Sequence, residues 1–114
     1  MLTESIIHLP VRDNDMVGLE AEHERMRSLM LQHFGGFTAH TCMGQWRDPE
    51  TGKIYKEPVV RYVIAADWRD VVTRAKLREL AEIAAITMRQ ICIYVSINGV
   101  ADFIYPPTEK RVAA

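Results

Sequence analysis

Hydrophobic and polar positions change their period several times along the chain, and each change marks an element. Residues 5–11 form a short apolar run with Ile6, Ile7, Leu9 and Val11, the composition of a strand that ends near the turn-prone Arg12-Asp13-Asn14-Asp15. Pro10 has no amide donor, so this strand is expected at a sheet edge or to stop early. From Met16 to Phe34 the period lengthens. Leu19, Met26, Leu29, Met30 and Phe34 gather on one side, with Glu20, Glu24, Arg27 and Gln32 largely elsewhere. That spacing predicts a one-faced helix, started by Asp15 as cap and stopped at Gly35-Gly36, which accepts positive φ.

Phe37 to Trp46 reads as the next strand, and Asp48-Pro49-Glu50-Thr51-Gly52 as a strong turn, with proline fixing φ early and glycine accepting positive φ late. A strand from Ile54 to Ala66 follows. Pro58 interrupts it and predicts an edge, a bulge or a break there. Asp67, with Asp70 three residues on, has the form of a helix cap, and the second helix is expected from Trp68 to Ala85 with Val72, Leu77, Leu80, Ile83 and Ala84 on its apolar stripe. Ile91, Ile93, Val95 and Ile97 then alternate with Cys92, Tyr94 and Ser96, the most regular strand pattern in the chain. Asn98-Gly99 is a hairpin turn of the primed type, and Val100 to Tyr105 returns as a short strand before Pro106-Pro107.

Strand, helix, strand, strand, helix, strand is the split plan of an α+β ferredoxin-like βαββαβ sandwich. Its antiparallel sheet carries both helices on one face, and the last short strand is an addition. Residues 1–107 are expected to form this single domain and 108–114 a flexible tail. The second face of the sheet needs a cover. With Val60, Tyr62 and Tyr94 expected on it, a second copy of the chain is the simplest one, which predicts a homo-oligomer, most simply a dimer.

Composition narrows the functions. At 114 residues and 48 % hydrophobic content, the chain has material for one core. The net charge of −1 sets up no global field for nucleic acid or an anionic membrane, and no segment approaches the roughly 20 apolar residues of a membrane span. The start carries no basic leader and apolar run, so a cytoplasmic location is expected. Cys42 and Cys92 lie far apart and are expected as buried thiols.

Gly35-Gly36-Phe37-Thr38, then Gly44-Gln45-Trp46-Arg47-Asp48, Gly52, Glu57 and the apolar strand around Val63, with fainter agreement at Gln90, Ile91 and Phe103, resemble a bacterial family of small domains of unknown function, many of them exported. The resemblance covers about the central and C-terminal two-thirds of the chain. It implies a ferredoxin-like fold, and it brings no reaction or cofactor.

Among side chains that carry chemistry, His40 and Cys42 share a strand face, but two ligands do not make a metal site, and His8, His23 and His33 are dispersed. No metal and no cofactor is expected. Gly35-Gly36 lacks the lysine and hydroxyl of a phosphate loop. Acidic residues break up the cluster Arg69, Arg74, Lys76 and Arg78, so no nucleic-acid partner is indicated. Two sets of residues stay open. Trp46, Arg47, Glu57, Tyr62 and Tyr94 can line a ligand site, with Trp46 as wall and Arg47 as anion clamp. His40, Glu57 and Arg61 can form an acid/base site, histidine moving a proton and arginine holding an anion.

Three readings follow. The first is a noncatalytic oligomer that binds a small organic ligand or a protein through the open face or the Trp46–Tyr55 loop. The second is a cofactor-independent enzyme of isomerase, decarboxylase or oxygenase type, acting on a small organic anion. The third is an inhibitor or regulator of a larger complex.

Overall fold

The computed structural model describes residues 1–107, and the expected tail at 108–114 lies outside them. In chain order the elements are β1 (Thr3–Pro10), α1 (Glu20–Phe34), β2 (Thr38–Arg47), β3 (Ile54–Ala66), α2 (Val71–Thr87), β4 (Ile93–Ile97) and β5 (Val100–Ile104). The five strands form one sheet in the order β2-β3-β1-β4-β5, with every neighbouring pair antiparallel. This is the α+β ferredoxin-like sandwich with an added C-terminal strand.

Strand β1 is interior, not an edge. It pairs with β3 from Thr3↔Ala66 to Pro10↔Val59 and with β4 at Ile6↔Ser96 and Ile7↔Val95. Pro10 is tolerated because its missing donor falls at the last residue of the strand, where pairing ends. Its carbonyl is satisfied by the ring of His23 at 2.6 Å.

Pro58 does not break β3 either. The β2–β3 ladder keeps one register from Thr38↔Val63 to Arg47↔Ile54, without a bulge. The Pro58 carbonyl accepts from the Val11 amide at 3.2 Å, so the polar groups of this residue face the β1 side. The absent N–H therefore points to the flank where β1 has ended, and the ladder with β2 loses nothing.

Both helix starts differ from the sequence reading. Helix α1 begins at Glu20 after Leu19, with no side-chain cap. Asp15 does not cap it; Asp13 folds the preceding segment instead, its carboxylate accepting from the amides of Asp15 and Val17 at 2.9 Å each. Asp70, not Asp67, caps α2, accepting from Val72 N at 2.9 Å. Asp67 closes the turn before it through the Arg69 amide, and that turn sends Trp68 inward to 1 % exposure, where its indole donates to Ile64 O. At the other end of α1, Gly35 takes φ 86° and returns its N–H to Leu31 O, the terminator that glycine allows.

The core lies between the helices and one sheet face. Ile7, Leu9, Tyr62, Ile64, Ile93 and Val95 rise from that face to meet Met26 and Met30 of α1 and Leu77, Leu80, Ala81 and Ala84 of α2. Val60 packs against this cluster and Tyr62 is fully buried in it, so neither belongs to the open side. Ile91 falls outside β4 and is exposed, and Val72 is exposed on α2.

Candidate functional site

Alternation along each strand fixes the residues of the uncovered face. They are the ones opposite the core positions: Ile6 and His8 on β1, His40 and Cys42 on β2, Glu57, Val59, Arg61 and Val63 on β3, Tyr94 and Ser96 on β4, and Phe103 on β5. The register brings four chemical side chains into one row. Arg61 is paired with His40 on one side and His8 on the other. Beyond His8, the Tyr94 ring lies 4.9 Å away, and Phe103 meets Tyr94 edge-on at 5.7 Å.

His8 is the distinctive member. Its Nε2 is buried and has no hydrogen-bond partner. Burial pushes its pKa below the ordinary histidine value, and the nearby Arg61 guanidinium and His40 push in the same direction. The ring is therefore neutral at physiological pH, with one nitrogen covered by the protein and given no hydrogen-bond partner. An unpaired buried polar atom costs stability, and it marks a place where a ligand or water completes the arrangement.

Of the residues singled out from sequence, His40 and Arg61 are cross-strand neighbours in this row. Glu57 shares their face but sits opposite Gly44, two residue pairs along β3 from Arg61, about 13 Å at the usual rise per residue. Trp46 is also on this face, further out, stacked on Tyr55 at 4.7 Å with Lys53 over the Tyr55 ring. Arg47 pairs with Ile54 on the opposite face.

Tyr62 is turned into the core. Its hydroxyl lies 2.7 Å from His23 Nδ1 and accepts from Arg27 at 3.3 Å. His23 Nε2 reaches Pro10 O, an obligate acceptor, so Nε2 carries the proton and Nδ1 accepts from the tyrosine. This histidine is a satisfied core group, and burial lowers its pKa.

The sequence marks His8 only weakly, because its significance depends on partners 53 and 86 residues away in the chain, Arg61 and Tyr94. Its opposition to the Ile7 and Leu9 face is the one local signal. Among the described residues, no group of three or more His, Cys, Asp or Glu is placed to hold a metal ion, and no helix is long and apolar enough to cross a membrane. The described chain also has a concavity on the helix side, where the start of α2 meets the β4–β5 hairpin.

No protein-family model matches the chain, and no curated protein matches it in sequence. Two solved structures share its fold. A phage SAM lyase in complex with S-methyl-5'-thioadenosine matches with a TM-score of 0.67 over 93 % of this chain and 89 % of that one, at 13 % identity. A phage SAM lyase in the apo state matches with a TM-score of 0.59 over 90 % and 85 %, at 14 % identity. At these identities the likeness is one of fold.

Proposed function

We propose that this protein is a small cofactor-independent enzyme of lyase type, acting at its uncovered sheet face on an organic substrate that carries a carboxylate and a sulfonium centre. The observation that carries the reading is the His40–Arg61–His8–Tyr94 row, in which a neutral histidine with an unpaired buried nitrogen sits between a guanidinium and an aromatic ring. The fold shared with a SAM lyase suggests S-adenosylmethionine as the first substrate to try.

The chemistry asked of such a site is modest. When a sulfonium carbon–sulfur bond breaks, the bonding pair returns to sulfur and the thioether leaves neutral, so no general acid is needed. Arg61 would hold the carboxylate, with His40 beside it. Tyr94 and Phe103 would face the sulfonium or a flat ring. His8, its lone pair being free at neutral pH, would accept the proton from the carbon next to the one that leaves sulfur, the C–H pair becoming the carbon–carbon double bond of the product. Glu57, Trp46 and Tyr55 would border a larger substrate on the same face.

A bare sheet face excludes water poorly, and a second copy of the chain is the cover we assign to it, most simply in a homodimer. The partly exposed Ile6 and Val63 and the exposed Phe103 supply apolar surface for that contact.

Incubation of the purified protein with S-adenosylmethionine, followed by mass spectrometry, tests the activity. Release of S-methyl-5'-thioadenosine that disappears in Arg61→Gln supports the lyase. Binding of S-methyl-5'-thioadenosine without turnover would return the protein to the noncatalytic ligand-binding reading, and neither binding nor turnover would remove this substrate class. Light scattering tests the dimer separately; a monomer at all concentrations would overturn it.

A further inference from the structure

The concavity on the helix side has a volume of about 470 Å³, and its lining includes Trp68, Arg69, Arg74, Arg78, Asn98 and Asp102. It lies across the sheet from the His8 row, since Val100 and Asp102 pair with the core-facing Ile97 and Val95. Three arginines line it, with Asp102 as the one carboxylate of the lining.

Each arginine is anchored without being saturated. Arg74 Nη1 donates to the carbonyls of Trp68 and Arg69 at 2.9 and 3.1 Å. Arg78 Nη2 holds Asp102 at 3.0 Å. Arg69 grips Asp67 with Nε and Nη2 at 3.1 and 3.2 Å. A guanidinium has five N–H donors, so each of the three keeps several for a further acceptor. Fixing the groups beforehand lowers the entropy that a bound ligand would have to offset. Ile97 and Val100 add apolar wall, and the volume falls within the usual range for small-molecule sites.

We infer that this cavity is a second ligand site, taking a small organic oxyanion: a carboxylate or phosphate on a compact apolar body. The guanidinium groups receive the oxyanion as bidentate hydrogen-bond donors, and the body lies against Ile97 and Val100. The site is independent of the chemistry assigned to the open face.

Amide NMR titrations with phenyl phosphate, benzoate and inorganic phosphate test it, the first two separating phosphate from carboxylate preference and the third isolating the contribution of the apolar body. Saturable shifts are expected within 68–78 and 97–102, with phenyl phosphate or benzoate binding more tightly than inorganic phosphate. Arg69→Gln and Arg78→Gln alter exposed side chains and should leave the amide spectrum otherwise unchanged while weakening binding about tenfold each, the loss expected for a charged hydrogen bond. Arg25→Gln, on α1, should bind as the parent does. Linear shifts without saturation, shifts scattered over the surface, or parent affinity retained in both arginine variants would overturn the site.

Discussion

His8 and Tyr94 hold their rings 4.9 Å apart at an interplanar angle of 40°, in a setting where the His8 Nε2 is buried without a hydrogen-bond partner. The folded chain gains ring contact there and loses the hydration of one polar atom. Replacing that atom by carbon removes the penalty. His8→Phe should therefore be as stable as the parent or up to about 1 kcal/mol more stable in urea unfolding, while the proposed lyase activity is lost. A destabilisation of more than about 2 kcal/mol would show that the ring nitrogen is satisfied after all.

Tyr62 tells the opposite story, because its hydroxyl serves both His23 and Arg27 inside the core. Tyr62→Phe keeps the ring and strips the donor from His23 Nδ1. The expected cost is about 1 to 3 kcal/mol, the usual range for leaving a buried acceptor unpaired. Equilibrium urea unfolding measures it, and an unchanged midpoint would contradict the network.

Burial lowers the pKa of both His8 and His23 below the ordinary 6.5. On acidification through that value the unfolded chain takes up protons that the folded chain refuses. Stability is therefore full above the ordinary value, falls as pH drops below it, and levels off once the lowered folded values are passed. Unfolding free energy followed from pH 8 to pH 5 should show this fall, and His8→Phe should show a shallower one. A flat profile would mean that neither ring is shielded.

Arg89 pairs with the carboxylate of Asp13, whose side chain is 1 % exposed while the arginine is 59 % exposed. The pair ties the end of α2 to the segment ahead of α1. The Arg89 hydrogen bond, helped by the Val17 and Asp15 amides, holds the Asp13 pKa below its usual 3.8. Arg89→Ala leaves that carboxylate buried with the two amides alone, so the melting temperature should drop at pH 7. The gap from the parent should narrow as the pH falls through the carboxylate range, where Asp13 takes a proton and no longer needs the arginine. Thermal melts at pH 7 and at a pH well below 3.8 check both halves, and a gap that stays constant would detach the effect from the charge.

Much of this architecture was legible one element at a time. The alternation from Ile93 to Ile97, the Asn98-Gly99 turn at φ 52° and 87°, the Gly52 turn at φ 77° and the Gly35 stop are local matters of backbone freedom and side-chain period, and each is where the sequence puts it. Sequence and structure part where a residue's meaning depends on a neighbouring strand. Pro10 and Pro58 looked like edge or break signals because a missing donor matters only if a partner waits for it. Asp15 and Asp67 have the right chemistry for caps, but α1 starts at Glu20 with no side-chain cap, and at α2 it is Asp70 that stands where the helical dihedrals begin.

The candidate site shows the same division. The period-2 pattern alone sorts His8 and His40 away from the core positions of their own strands, since a strand's two faces are written in its alternation. Which strand lies beside which, and in what register, is set by packing of the helices on the sheet and by sheet order. Only those tertiary choices place Arg61 between two histidines, put Tyr94 beside His8, and turn Tyr62 inward to His23. Local periodicity determined the elements and their faces because it acts within a few residues; the row across four strands was decided by long-range pairing, which no stretch of the chain encodes by itself.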